Sequence, residues 1–493
     1  MRSSGSSTIA LGIDPASWGE YNHIRGTKTQ MKECCALYGV YAPGEDVARL
    51  TYFGLFAQQH RGQESSGIAT ADGNQIYCHT KMGLVSQAFD NEVLERLCGH
   101  IAIGHNRYST TGSSRAENAQ PLLISGPTGK IALAHNGNIV NAGELRQQLE
   151  NQGFSFYTTS DSEVIANVII AAPQKSFPEK IRYAMKRLVG AYSLVILTED
   201  TLYGVRDPLG VRPLCIGKLN GGWAIASESC ALDHTSAQFL RDIEPDEVVA
   251  INANGFHSDK EGDGKPSGLC IFEFIYFSRP DSIIQGRRVY SAREAMGAKL
   301  YQLHPVDADV AFGLPDSATA AGIGYSQASG VPYTEIMLKN RYVGRTFIEP
   351  HQRLRELGVQ QKFNPMQERL NGKRVILVDD SIVRGTTTPR VISLVRKSGA
   401  KEVHMRICAP PLKYPCCLGV DMATSWELIA AHKDIPEIAK FIGADSLGYL
   451  TVDALIEAVA LPREYFCLAC FTGNYPVPVQ LDMNKLSLEM KKG

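Results

Sequence analysis

The stretch Val375-Ile376-Leu377-Val378-Asp379-Asp380-Ser381-Ile382-Val383-Arg384-Gly385-Thr386-Thr387-Thr388 decides the class of fold. Its four opening residues are apolar and mostly β-branched, and they read as a strand covered on both faces, as in a parallel sheet. Two carboxylates follow at the C-terminal end, where open α/β sheets bind ligands. A Gly/Thr-rich turn then leads to Pro389, suited to the first position of a helix with Thr388 as N-cap. The helix is expected over 390–397, stopping at Gly399. Its free N–H groups and positive dipole end suit a phosphate, and Thr386 and Thr387 add hydroxyls. The acids suit ribose hydroxyls or Mg²⁺. A bland surface loop is the alternative, and two acids beside a Gly-Thr-Thr-Thr turn speak against it.

The segment resembles the phosphoribosyl-pyrophosphate (PRPP) loop of the type I phosphoribosyltransferases: apolar strand, two acids, Gly/Thr turn. That resemblance implies PRPP contacts at Asp379, Asp380, Ser381, Arg384, Gly385, Thr386 and Thr387. Upstream lies Lys339-Asn340-Arg341-Tyr342-Val343-Gly344-Arg345, cationic and Gly-containing. By itself it reads as a solvated basic loop. Ahead of a pyrophosphate donor site, Lys339, Arg341 and Arg345 can neutralise the leaving group and help to exclude water. Residues 310–314 are a further strand, followed by Pro315-Asp316-Ser317 and a Gly/Ala-rich helix start. Cys270-Ile271-Phe272-Glu273-Phe274-Ile275-Tyr276-Phe277 also looks like a strand. Residues 257–268, charged and Gly-rich, read as a surface connection between domains.

The chain of 493 residues allows two or three domains at about 150 residues each. It is 44% hydrophobic and 20% charged, as an ordinary globular protein is. A net charge of −1 without basic blocks argues against a nucleic-acid surface. No apolar run approaches the ~20 residues that span a bilayer. Twelve cysteines without a secretory signal point to a reducing, cytoplasmic setting. Residues 1–34 are rich in Ser, Gly and Thr. Their longest apolar stretch, 9–13, is too short for a signal-peptide core, and Asp14 and Glu20 weaken a transit-peptide reading. They are either a disordered start or a leader that is removed.

From Cys35 the pattern becomes regular. Cys35-Ala36-Leu37-Tyr38-Gly39-Val40-Tyr41 reads as a strand opening on a thiol. Four clusters follow: Gln59-His60-Arg61-Gly62-Gln63-Glu64, Gly104-His105-Asn106-Arg107-Tyr108-Ser109-Thr110, His135-Asn136-Gly137-Asn138 and Ser160-Asp161-Ser162-Glu163. Singly, each has a plain explanation. Asn136-Gly137 favours a hairpin turn. Ser160 and Glu163 form a capping box, with Asp161 a first-turn acid. Arg107 suits a surface ion pair.

In this order and spacing they resemble the glutamine-hydrolysing domain of amidotransferases with an N-terminal nucleophile, up to about Asn254. Arg206-Asp207-Pro208-Leu209-Gly210-Val211-Arg212-Pro213-Leu214 and Ala226-Ser227-Glu228-Ser229 belong to the match. The resemblance implies that Cys35 is the nucleophile and its own α-amine the base, near pKa 7.7–8.0. Asn136 and the Gly137 N–H would form the oxyanion hole, while Arg107 holds the glutamine carboxylate and Asp161 its ammonium. An α-amine at Cys35 requires removal of residues 1–34. The family has Gly where this chain has Ala36. Cys34 offers a second thiol, but counting back from Gly39 selects Cys35.

With both halves in view, the chain resembles the glutamine PRPP amidotransferase family over residues 35 to about 476. The implied fold is an α+β N-terminal-nucleophile (αββα) glutaminase domain at 35–258, then an α/β type I phosphoribosyltransferase domain at 269–470. Residues 1–34 form a leader and 471–493 a C-terminal tail. The implied Mg²⁺ residues are Ser317, Asp379 and Asp380, with Ala318 where many members have Gly. Cys467-Leu468-Ala469-Cys470 alone suits redox chemistry or half a metal site. One branch of the family carries a structural [4Fe–4S] cluster and a cleaved leader, and its pattern falls on Cys270, Cys416, Cys467 and Cys470. Cys417 and, less well, Cys408 rival Cys416. Cys78, Cys98, Cys215 and Cys230 read as core residues. The family further implies glutamine and PRPP as substrates, inhibition by purine nucleotides, and a homotetramer. A PRPP sensor without turnover would leave the glutaminase set without purpose. A sugar-phosphate aminating enzyme would leave Asp379-Asp380 unexplained.

Overall fold

The computed structural model describes residues 35–108, 114–126, 129–262, 264, 266–340, 363–420, 422 and 424–478. Residues 1–34, expected to be a leader, with Cys34, the cationic residues Arg341 and Arg345, and most of the expected tail lie outside them.

The strand Ala36–Tyr41 is buried along its whole length. It sits in a seven-stranded antiparallel sheet, between Gly222–Ala226 and Ile101–Arg107. A second, six-stranded antiparallel sheet centres on Gly129–Ile139 and Gly190–Leu197. Alternating side chains explain the stacking. Leu37, Ile103, Ala134, Val195 and Ile225 fill the space between the sheets. On the outer faces, Val47–Ala57 covers the first sheet, and Ala142–Asn151, Asp161–Ile170 and Phe177–Met185 cover the second. The result is four layers, αββα. The last strand of the second sheet, Gly255–Lys260, absorbs the start of the expected linker.

The second unit is built on four parallel strands in the order Val310–Gly313, Arg374–Asp379, Glu402–Ile407 and Ser446–Tyr449. Val375 and Leu377 enter one core and Ile376 and Val378 the other, so both faces are covered. The helix after the acids runs Thr388–Lys397 with Thr387 as N-cap, one residue earlier than expected. Pro389 still lies in its first turn.

Residues 270–277 are not a strand. Only Leu269–Cys270 pairs, and Glu273–Phe277 winds into a π-helical turn. A short continuous apolar run fits a buried strand or a buried helical turn equally well, and tertiary contacts decide. Here Glu273, fully buried inside that run, must meet cations from the first unit. Cys98 is exposed rather than core, because it follows a short surface helix.

Two candidate active sites and a thiol cluster

Cys35 lies at the end of its strand, 7% exposed, and its Sγ is held by the Tyr108 backbone: the N–H donates to sulfur and the thiol donates to the carbonyl, each at 3.3 Å. Burial pushes the thiol up to about 12, against the opposing pull of Arg107. Such a thiol is protonated at neutral pH, so attack by it requires a base. Cys35 lines one small cavity with Arg107, His135, Gly137 and Asp161.

Asn136 and Gly137 lie within the strand Gly129–Ile139, not in a hairpin turn. Their place in the long central strand, paired along its length with Gly190–Leu197, overrides the local turn preference. Gly137 has φ +150°, and a Cβ there would stand 2.1 Å from the Ala191 carbonyl oxygen, so no side chain fits. The Asn136 Nδ2 is buried with no hydrogen-bond partner. A buried orphan donor is costly to maintain, and this one is available to an incoming acceptor.

Arg107 is buried and ion-paired to Glu64, not on the surface. Asp161 opens the helix Asp161–Ile170 and accepts the Ile139 N–H at 3.2 Å, with His135 Nδ1 at 3.8 Å. Ser160 caps that helix through the Ser162 N–H. Glu163 does not complete a capping box; it accepts from the Tyr157 and Thr158 N–H groups and so ties down the preceding loop.

In the second unit, Asp380 is 8% exposed and takes hydroxyl hydrogens from Ser317 and Ser381 on its two oxygens. Asp379 Oδ1 accepts the Asp380 N–H at 2.9 Å. Burial raises the Asp380 carboxyl above the usual carboxylate range, opposed by both hydroxyls and by Arg293. Two carboxylates and a hydroxyl form a hard oxygen set that fits Mg²⁺. Gly385, at φ +67°, makes the turn before Thr386 and Thr387. Two cations are held by acids: Lys339 by Asp316, and Arg384 by Glu427 at 3.2 Å. A wider groove beside Tyr301 and Asp307 opens at the other end of the sheet, away from these acids.

The thiols also converge. Cys270 and Cys467 are register partners on the parallel strands Leu269–Cys270 and Phe466–Cys467. Cys416 and Cys417 pack beside them against Ala191, Val211 and Leu418. Burial raises the Cys470 thiol far above its ordinary value, and Cys467, Cys270 and Cys416 add to the effect. Among the described residues, no three His, Cys, Asp or Glu side chains close in on one metal ion. Four neighbouring thiols in an apolar setting supply the soft donor set that an iron–sulfur cluster takes. The cysteine loop rests on the first unit, where Asn138 Nδ2 donates to the Cys417 carbonyl at 2.8 Å.

Sequence reading missed several residues that organise these sites: Glu64 against Arg107, Arg61 with Glu228 and Glu273, and Arg293 near Asp380. The lone Glu273 in an apolar run was the available signal, since a buried carboxylate requires a cation.

Residues 105–234 match the family model of a glutamine amidotransferase domain. The chain is 48% identical to an amidophosphoribosyltransferase of Synechococcus elongatus, with 93% of this chain and 94% of that one covered. It is 48% identical to the Methanocaldococcus jannaschii amidophosphoribosyltransferase, covering 91% and 98%. It also matches the solved structure of glutamine PRPP amidotransferase from B. subtilis complexed with ADP and GMP, at a TM-score of 0.86 and 44% identity. That match covers 91% of this chain and 99% of the other. Among the described residues, no helix is long and apolar enough to cross a membrane.

Proposed function

This chain belongs to the amidophosphoribosyltransferases, and from that premise we propose which of its residues perform each part of the reaction. The enzyme hydrolyses glutamine and transfers the ammonia to C1 of PRPP, giving 5-phosphoribosylamine, pyrophosphate and glutamate, the first committed step of de novo purine synthesis. The observation that carries the residue assignment is the cavity joining Cys35, Arg107, Gly137 and Asp161, beside the unpartnered Asn136 amide.

Arg107 takes the glutamine α-carboxylate and Asp161 its ammonium. The Cys35 thiol passes its proton to the Cys35 α-amine and attacks the amide carbon. Asn136 Nδ2 and the Gly137 N–H receive the oxyanion. The amine returns the proton to the departing ammonia, and water then releases glutamate from the thioester. A peptide-bonded nitrogen is not basic, so residues 1–34 are removed as a leader.

Ammonia moves internally to the second domain. There Asp379 and Asp380 hold the ribose and steady a ribosyl centre that gains positive charge as pyrophosphate departs. Ser381, Gly385, Thr386 and Thr387 cradle phosphate at the helix N-terminus, while Lys339, Arg341, Arg345 and Arg384 meet the pyrophosphate. Ser317, Asp379 and Asp380 would hold Mg²⁺, which when bound neutralises phosphate charge. The first domain closes with the strand Gly255–Lys260 rather than at 258, and the second runs from about 269 through the helix Ala469–Thr472, past 470.

Cys270, Cys416, Cys467 and Cys470 would hold a structural [4Fe–4S] cluster. Cys467→Ser and Cys470→Ser should each lose iron and sulfide and leave little soluble protein, because metal binding contributes folding energy. Well-folded, colourless and fully active mutants would refute this. Purine nucleotides act as feedback inhibitors of a cytoplasmic homotetramer; the ADP and GMP of the B. subtilis structure support the nucleotide part. The reading is tested by PRPP-dependent amine formation in a preparation whose N-terminal sequencing gives Cys-Ala-Leu-Tyr. Active enzyme that retains Met1, or begins at Cys34, would overturn it.

A further inference from the structure

We propose that Glu273, a residue of the phosphoribosyltransferase half, is a positioning residue for glutamine hydrolysis, acting on Cys35 through Arg61. The inference rests on the assignment of Cys35 as nucleophile.

Arg61 is fully buried where the two halves meet. Its Nε donates to the Cys35 carbonyl at 3.2 Å. One terminal nitrogen donates to Glu228 at 2.6 Å and to Glu273 Oε2 at 3.0 Å, and the other donates to Glu273 Oε1 at 2.9 Å. The guanidinium therefore bridges the backbone of the nucleophile, one carboxylate of its own half and a bidentate carboxylate of the other. Glu273 is in turn fixed by the Ser278 hydroxyl at 2.6 Å, and Arg212 lies 3.5 Å from its Oε1. Glu228 is clamped from the second half by the Ser282 hydroxyl at 2.7 Å and the Arg279 N–H at 2.8 Å.

Charge compensation of Arg61 needs one carboxylate, and Glu228 supplies it, while Glu273 also faces the buried Arg212 at 3.5 Å. The second carboxylate adds direction, because a planar fork against a bidentate partner has one low-energy orientation. That orientation sets the Cys35 carbonyl. The carbonyl carbon is bonded to the Cα that bears the thiol and α-amine, so displacing the carbonyl carries Cα, and with it Sγ, relative to the Asn136 amide. Inter-domain ion pairs are usually exposed and weak. These side chains are wholly out of water, where geometry is held far more tightly.

The test is Glu273→Gln in the mature holoenzyme that begins at Cys35, which keeps the shape and removes the charge. It is read by kcat and KM for glutamine hydrolysis, by the rate at which an electrophilic glutamine analogue alkylates Cys35, and by synthesis from ammonia. The expected result is a kcat lower by about ten- to a hundredfold, as for an ångström-scale misplacement, with alkylation slowed in parallel. KM should stay within about twofold, because Arg107 and Asp161 are untouched, and ammonia-dependent synthesis should persist. Unchanged hydrolysis, or equal loss of both activities in a folded protein, overturns the proposal. Should Glu273→Gln not fold, Ser278→Ala decides, since it loosens Glu273 and keeps every charge paired. A several-fold fall in hydrolysis alone supports the role, and no change overturns it. A Cys35→Ser protein that still hydrolyses glutamine would instead remove the premise, whatever Glu273 does.

Discussion

The two halves ready their charges in opposite ways. In the glutaminase half the charged groups ride on strand ends and a helix start, and they are closed off from water: Arg107 and Glu64 are 3% and 12% exposed. In the phosphoribosyltransferase half the acids Asp379 and Asp380 close a central strand, with Asp380 8% exposed, but the cations and their partners sit nearer water. There Lys339 and Asp316 are 30% and 79% exposed, and Arg384 and Glu427 are 15% and 32% exposed. Glutamine offers a neutral amide, which brings no field of its own, so its donors must be fixed and dry beforehand. PRPP is a polyanion. Cations that rest on Asp316 and Glu427 can exchange those acids for substrate oxygens, at a modest cost in each case. A rigid site and an exchangeable one thus share a chain.

The comparison breaks most visibly at Cys35. Cys35→Ser should lose glutamine-dependent synthesis and keep synthesis from ammonia above about pH 8, since serine is the poorer nucleophile and nothing in the second site uses the thiol. Loss of both activities in folded protein would mean that the sites are not separable. Next in size is Asp379→Asn combined with Asp380→Asn. With either nitrogen donor the rate should fall about 10²–10³-fold, or about 2.7–4 kcal/mol. A loss below about tenfold would argue against the acids steadying the ribosyl centre. Asn136→Ala sharpens the contrast, costing about a hundredfold in glutamine hydrolysis and leaving ammonia-dependent synthesis alone. If both fall together, the amide supports the fold and not an oxyanion.

The smallest effect is on stability. His105 is buried with Nε2 3.0 Å from the His135 carbonyl oxygen, and burial depresses its pKa from 6.5 to about 3. The folded state keeps it neutral while the unfolded state takes up a proton below 6.5, so its contribution is complete above pH 6.5 and lost as pH falls toward 3. By pH 5 the loss is at most about 2 kcal/mol. Thermal melts at pH 7 and 5 should show a lower midpoint in acid, and His105→Gln should shrink that difference. An unchanged difference would locate the acid sensitivity elsewhere.

Much of this was legible in the residues. A strand buried on both faces and ending in Asp379-Asp380 could only be central in a parallel sheet, and it is. Cys35, Arg107, Gly137 and Asp161, separated widely in sequence, do meet in one cavity. Where local preference misled, a neighbouring strand, a distant cation or a nearby loop overrode it. Asn136-Gly137 reads as a turn until the neighbouring strand Gly190–Leu197 is known. Residues 270–277 read as a strand until Arg61 and Arg212 are known to wait for Glu273. Glu163 reads as a cap until the loop at Tyr157 and Thr158 takes it. Periodicity carries no information about which distant cation a buried acid will find.

The doubly held Arg61 has a consequence for the order in which the chain is made. Glu228 belongs to the half that leaves the ribosome first, whereas Glu273 lies 212 positions after Arg61. Glu273 follows Glu228 by 45 residues (212 − 167), so at about 5–20 residues per second the gap between the two carboxylates is roughly 2 to 9 s. During it the glutaminase half can fold with its nucleophile held from one side only. The bridge closes when the first residues of the second half emerge, so Arg61 gains its second carboxylate before the rest of that half is made.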